Sequence, residues 1–297
     1  MLPSTAFAYR WVATVNTKKA TVQRVFQQKF LSSIVRPALA ISGLALFASS
    51  ANALVIDDFD SAGGAASTTS AMSVSSFTNA APGEQLLGGQ RDFQATITSF
   101  SSNFDRVVVT SGAQSPLDAS MRTQALHSQD AGATGYSLIT YDGIDDSGSS
   151  FDPMGLGQVD LTGDGNNAFT LELALSDRGA PVTIFVFSSP DEWSWMTAGA
   201  PGGLEHAQEP ITLELLYEDF TPGTTAVTML NGSPVSQLPQ TAVAGAEFHR
   251  VGAIAILFDG TDQPGFDIGL NQFSAEQVPL PGSLLLLMAG LIGTGRM

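Results

Sequence analysis

The sequence predicts an all-β protein, an antiparallel β-sandwich, on three observations. Short apolar runs alternate with polar residues at a period of two, turn-forming residues separate them, and no segment between Leu54 and Gln277 carries a sustained apolar stripe at helical spacing. The first run, Leu54-Val55-Ile56, ends in the acids Asp57 and Asp58. Residues 61–81, rich in Gly, Ala, Ser and Thr, read mostly as loop. Residues 93–97 alternate, residues 106–110 have a buried-strand pattern, and residues 136–141 are β-branched and aromatic, closed by Asp142-Gly143. Phe169, Leu171, Leu173 and Leu175 face one way while Thr170, Glu172 and Ala174 face the other, as in a half-buried antiparallel strand. Residues 182–187 are apolar on both faces and read as a central strand; Ile211, Leu213, Leu215 and Tyr217 repeat the alternation. Asn231-Gly232 suits a tight hairpin because both residues tolerate positive φ. Runs at 251–258 and 266–273, joined by Asp259-Gly260 and Pro264-Gly265, complete the set. A jelly roll is the expected arrangement, with an immunoglobulin-like one as the alternative.

The two ends differ from this body. Residues 1–53 hold Arg10, Lys18, Lys19, Arg24, Lys29 and Arg36 and no acid, then an apolar run from Ala38 to Ala48 and the small residues of Ala51-Asn52-Ala53. That order defines a signal peptide, cleaved after Ala53. Residues 278–297 begin Val278-Pro279-Leu280-Pro281, continue as a leucine-rich uncharged run, and end with Arg296 and Met297. A helix from Gly282 to Gly295 would reach about 21 Å, short of the roughly 30 Å hydrocarbon core of a bilayer. It reads as a short apolar helix that touches a membrane transiently. Three segments follow: a signal peptide (1–53), a β-sandwich ectodomain (54–277) and a sorting or anchor tail (278–297).

The tail resembles the PEP-CTERM class of sorting signals, in its Val-Pro-Leu-Pro variant. Leu280 stands where the commonest form has an acid, and the usual terminal arginine cluster is reduced to Arg296. The resemblance covers these twenty residues and implies a protein exported in a Gram-negative envelope. It implies processing by an exosortase-type enzyme and association with exopolysaccharide in a biofilm. A second resemblance, spread over residues 155–275, is to PEP-CTERM ectodomains with a galactose-binding-like jelly roll. It rests on residues 159–169, the strand from Pro181, and residues 251–258.

Charge narrows the partners. All 28 acids follow Ala53, against six arginines and no lysine, so residues 54–297 carry a formal charge of −22. Such a chain repels phosphate backbones, which excludes nucleic acid. There is no cysteine, so neither a disulfide framework nor thiolate chemistry is available.

Few residues carry chemistry. His127, His206 and His249 are scattered, without the spacing that puts two metal ligands on one face. No Gly-x-Ser-x-Gly elbow occurs, and no carboxylate pair stands out among so many. The expectation is a protein without catalytic activity. Trp193 and Trp195, two apart in an extended segment in or beside a Gly/Pro-rich loop, project to one side. They either stack sugar rings or close one end of the core. The acid-dense loops Asp142–Asp146 and Asp160–Asn167 offer oxygen ligands to calcium or cap their own turns. The galactose-binding-like resemblance implies instead a structural calcium on Asp57, Asp58 and Asp267. Three functions stay open: a surface or matrix protein held in exopolysaccharide, a carbohydrate-binding module using Trp193 and Trp195, and a polysaccharide-acting enzyme.

Overall fold

The period-two runs pair into two antiparallel sheets. The computed structural model describes residues 53–60, 65–69, 72–114, 123–179, 181–204, 210–223 and 237–278. The expected signal peptide before Ala53, His206, the expected turn at Asn231-Gly232 and the tail from Pro279 onward lie outside the described residues.

Sheet A contains β1 (Leu54–Asp57), β2 (Ala65–Thr68), β5 (Val107–Gln114), β6 (Thr123–Gln129), β8 (Ala168–Ser176), β11 (Ile211–Leu216) and β14 (Asp267–Glu276). Their order is β11-β8-β14-β6-β5-β2. Strand β1 follows β6 along the same edge of β14, with Leu54 opposite Ala275 and Asp57 opposite Phe273. Sheet B contains β3 (Ser73–Asn79), β4 (Gln90–Phe100), β7 (Ala133–Tyr141), β9 (Pro181–Ser189), β10 (Glu192–Gly199), β12 (Thr221–Pro222) and β13 (Ala253–Gly260). Their order is β12-β10-β9-β13-β7-β4-β3. No α-helix occurs among the described residues. The layers form the expected sandwich.

Alternation decides which side chains fill it. Phe93, Ala95 and Ile97 of β4, Ile139 and Tyr141 of β7, and Val182, Ile184 and Val186 of β9 point between the sheets. They meet Phe169, Leu171 and Leu173 of β8 and Ile268, Leu270 and Phe273 of β14. Each of the Val, Leu, Ile and Phe side chains among them, taken fully from water, contributes about 1.5–3 kcal/mol. Phe169 sits at the centre of an aromatic group, 5.2 Å from Phe273 and 5.0 Å from Tyr217 between ring centroids.

Two stretches differ from expectation. Residues 61–81 contain β2 and β3, outer strands of their sheets, rather than mostly loop. Their side chains are mostly small and polar, and Val74 and Phe77 are exposed, yet β3 pairs with β4 over its full length. Trp193-Ser194-Trp195 lies within β10, hydrogen-bonded to β9 on one side and β12 on the other, and not in a loop.

Candidate functional site

Sheet B is apolar on both faces. Its inner face joins the main core; its outer face carries a second cluster of Tyr136, Leu138, Phe185, Phe187, Trp193, Ala253, Ala255 and Leu257. Leu238 and Ala242 join this cluster, and Phe151 and Trp195 pack at its margin. Strand register turns the face into rows. One row runs Trp195, Phe185, Ala255, Thr140, Asp92, Phe77 across six strands. The next runs Thr197, Thr183, Leu257, Leu138, Gln94, Ser75. The ends stay accessible: Trp195, Gln94 and Ser75 are half-buried, and Thr197 and Phe77 are exposed. The accessible ends thus carry aromatic rings beside hydroxyl and amide groups, while Phe185, Ala255, Thr140 and Asp92 between them are buried.

The middle is roofed by the chain itself. Phe151 meets Phe187 edge-on at 4.8 Å, and Tyr136 donates its hydroxyl to Gln237 at 3.5 Å. A cavity of about 20 Å³ remains between Gln94, Leu138, Thr140, Gly148–Phe151, Gln237 and Leu238. That is room for roughly one water.

The two tryptophans part company here. Both point outward from sheet B, as two-residue spacing requires. Trp193 is only 1% exposed, and its ring packs against Phe187 at 5.7 Å. A Cβ at Gly223 would run into the same indole. Trp193 thus closes a core and cannot stack a sugar, which corrects one half of the expected pair. Trp195, half-buried at the open end of its row, keeps a face toward solvent.

The expected calcium ligands are also divided. Asp57 and Asp58 lie together and are joined by Glu84, their oxygens within 4.8 Å of one another. Asp267 starts β14 opposite Ser128, whereas Asp57 stands opposite Phe273. At about 3.4 Å per residue, roughly 20 Å separate them. Asp267 instead accepts from the Gln129 N–H at 3.3 Å, and its own N–H donates to Asp177 at 2.8 Å.

Asp57 has a cation already. The Arg91 guanidinium, fully buried, lies 3.3 Å from Asp57, pairs with Glu84 and sits 5.5 Å over the ring of Phe59. Asp57 also accepts from the Tyr141 hydroxyl at 3.0 Å and the Phe59 N–H at 2.8 Å. Burial pushes Asp57 up to about 7 against the pull of Arg91, and burial with the Asp57 charge beside it holds the Tyr141 phenol well above its usual range.

Sequence reasoning missed a second carboxylate pair. Asp92 lies next to Arg91 in β4 but faces the other side of the sheet, where it meets Asp142 from the end of β7. Burial raises both carboxyls, Asp92 further because it faces Asp142. The alternation of β4 carried that signal, but no sequence feature tied Asp92 to Asp142.

His127 is fully buried between Phe258 and Phe266, its Nδ1 sharing a 2.7 Å hydrogen bond with Ser137. Burial pushes it down to about 3. His249 is on the surface, 3.4 Å from Glu247. At the expected signal junction Ala53 is exposed, immediately before β1, and Ala51 lies outside the described residues. Of the expected sorting motif only Val278 is described; Pro279, Leu280, Pro281 and Arg296 are not.

No protein-family model matches the chain, and no curated protein sequence does. Among solved structures it is similar to a family 11 carbohydrate-binding module from Clostridium thermocellum in complex with a β-1,3-1,4-mixed-linked tetrasaccharide. The identity is 9%, the alignment covers 77% of this chain and 98% of that one, and the TM-score is 0.37. The same family's module from the cellulosomal cellulase Lic26A-Cel5E of Clostridium thermocellum gives 9% identity, 77% and 97% coverage and a TM-score of 0.37. An exo-β-agarase gives 10% identity over 76% of this chain and 25% of that one, with a TM-score of 0.33. Residue correspondences do not follow from overlap at that level.

Proposed function

We propose that this is an exported surface or matrix protein without catalytic activity whose sandwich binds polysaccharide, with the outer face of sheet B as the ligand face. The observation that carries the reading is the row from Trp195 to Phe77, beside the row from Thr197 to Ser75. Sugar rings offer C–H faces that rest on aromatic side chains and hydroxyls that need polar partners. Trp195 supplies the first; Thr197, Gln94 and Ser75 supply the second. A formal charge of −22 over residues 54–297 repels polyanions, so a neutral or amine-bearing polysaccharide fits best. Export, transient membrane contact and processing by an exosortase-type enzyme rest on the two terminal segments of the sequence.

Native electrophoresis of the protein through gels containing neutral, basic or acidic polysaccharide tests the ligand. Retardation by a neutral or basic polymer, weakened at least tenfold in Trp195→Ala with the fold intact, is the expected result. Unretarded migration in every polymer overturns the reading. Intact masses of cell-bound and shed protein test the routing, with losses expected at residues 1–53 and from 278 onward.

A further inference from the structure

Asp92 and Asp142 form the one carboxylate pair among the described residues that is buried, face to face, and without a cation. Asp92 is 2% exposed, and neither of its carboxylate oxygens has a hydrogen-bond donor. Asp142 is 3% exposed; its Oδ2 accepts from the Asp152 N–H at 2.8 Å and its Oδ1 has no donor. Three buried oxygens thus have no donor from the surrounding chain, and the two carboxyls lie within hydrogen-bonding reach of each other. Leaving such groups unmet costs about 1–3 kcal/mol each, and more when they are charged.

Among the described residues no basic side chain pairs with either carboxylate; Arg122 and Arg296 lie outside them. Arg91 is committed to Asp57 and Glu84 on the opposite face of β4. Arg106 pairs with Asp130, Arg178 with Asp177, and Arg250 with Glu192 and Glu247. Lysine is absent after residue 53. The charges that do lie close, Asp145 and Asp152, are acidic as well.

The loop above the pair is shaped around it. Residue 145 donates its N–H to Gln90 Oε1 at 3.1 Å, tying the loop to β4. Gly155 packs directly on the Asp142 carbonyl, where any Cβ would collide. Two facing carboxylates, with those of Asp145 and Asp152 close by, offer oxygen alone, which suits a hard cation that accepts irregular geometry. They offer no nitrogen or sulfur for zinc.

We propose that Asp92 and Asp142, closed over by the loop of residues 142–155, bind a calcium ion. This site is distinct from the Asp57, Asp58 and Glu84 group, where Arg91 already supplies the positive charge. Asp92 stands in the buried middle of the row from Trp195 to Phe77, so the ion is held there whether or not the accessible ends of the row take a sugar. The same loop contributes Gly148–Phe151 to one wall of that face, so the ion fixes the wall in place.

Calorimetric titration of the chelator-treated full chain with calcium chloride, with thermal melts alongside, tests this. The expected result is one ion per chain and a Tm raised by several degrees. Asp92→Asn and Asp142→Asn should each weaken binding at least tenfold and abolish the Tm shift, while Asp58→Asn combined with Asp267→Asn leaves both unchanged. No uptake by the wild-type chain overturns the proposal and leaves the pair sharing a proton. Uptake retained in either folded variant, or lost in the Asp58/Asp267 double variant, overturns it too. Should Asp92→Asn and Asp142→Asn both fail to fold, anomalous density in calcium-soaked wild-type crystals decides: a peak between the two carboxylates supports the site, and its absence there sinks it.

Discussion

Asn167 holds Val278 by both of its backbone groups. The Val278 N–H donates to Asn167 Oδ1 at 2.7 Å, and Asn167 Nδ2 donates to the Val278 carbonyl at 2.9 Å. The Asn167 main chain is itself fixed, donating to Glu276 and accepting from Tyr217. The first residue of the Val-Pro-Leu-Pro motif is thereby stitched to the end of β8. Asn167→Ala removes two hydrogen bonds worth about 1 kcal/mol each. Hydrogen exchange at residues 277 and 278 should rise at least tenfold, with the amides of β13 unchanged.

Trp193 and Trp195 should fail in different ways. Trp193→Ala empties a packed site and should cost about 3–5 kcal/mol in urea unfolding. Trp193→Phe should cost far less, because it also removes a buried indole N–H that has no acceptor among the described residues. Gly223→Ala pushes a methyl into the ring and should cost about 1–3 kcal/mol. Trp195→Ala should leave the unfolding midpoint nearly unchanged.

Arg91 holds together two carboxylates that no other described cation reaches. Arg91→Met leaves Asp57 and Glu84 buried without their guanidinium, a loss of about 3–5 kcal/mol. Arg91→Lys should recover little, because a single ammonium cannot span both partners or lie flat over Phe59. Pairing Arg91→Met with Asp57→Asn should restore part of the stability, seen as non-additivity in a double-mutant cycle.

How much of this was readable in advance varied with the physics. Buried strands announced themselves: Phe93, Ala95 and Ile97 alternate because water lies on one side and core on the other. Strands β2 and β3 did not, since an outer strand of mostly small and polar residues, with only Val74 and Phe77 as larger apolar ones, needs only a partner's backbone. The outer cluster of sheet B was hidden differently. Runs such as residues 182–187 showed two apolar faces, but what covered the second face depended on Leu238 and Phe151, far away in sequence. The three expected calcium ligands do not come together: Asp57 and Asp58 lie beside Glu84, and Asp267 starts β14 at its other end. Chain ends that pair along one strand can still put their acids at opposite ends of it. Likewise, Arg91 and Asp92 are neighbours in sequence but lie on opposite sides of a sheet, so one carboxylate cluster gained a cation and the other did not.

His127 makes stability depend on pH with a definite sign. Its pKa is about 3 in the fold and about 6.5 unfolded. Between those values the unfolded chain binds a proton that the folded chain refuses. The stability the neutral ring contributes is therefore complete above pH 6.5 and drains away as pH falls toward 3. The limiting slope is about 1.4 kcal/mol per pH unit. Asp57 acts in the opposite sense, because a carboxyl raised to about 7 favours the fold at low pH and loses that contribution as pH rises through 7. A bare pH profile mixes the two. Comparison with His127→Gln, which keeps a hydrogen-bonding side chain beside Ser137 but cannot titrate, separates them. The wild-type minus variant difference in urea midpoint should shrink steadily from pH 7 to pH 4. A difference that stays flat would mean that the imidazole is as easily protonated in the fold as in the unfolded chain.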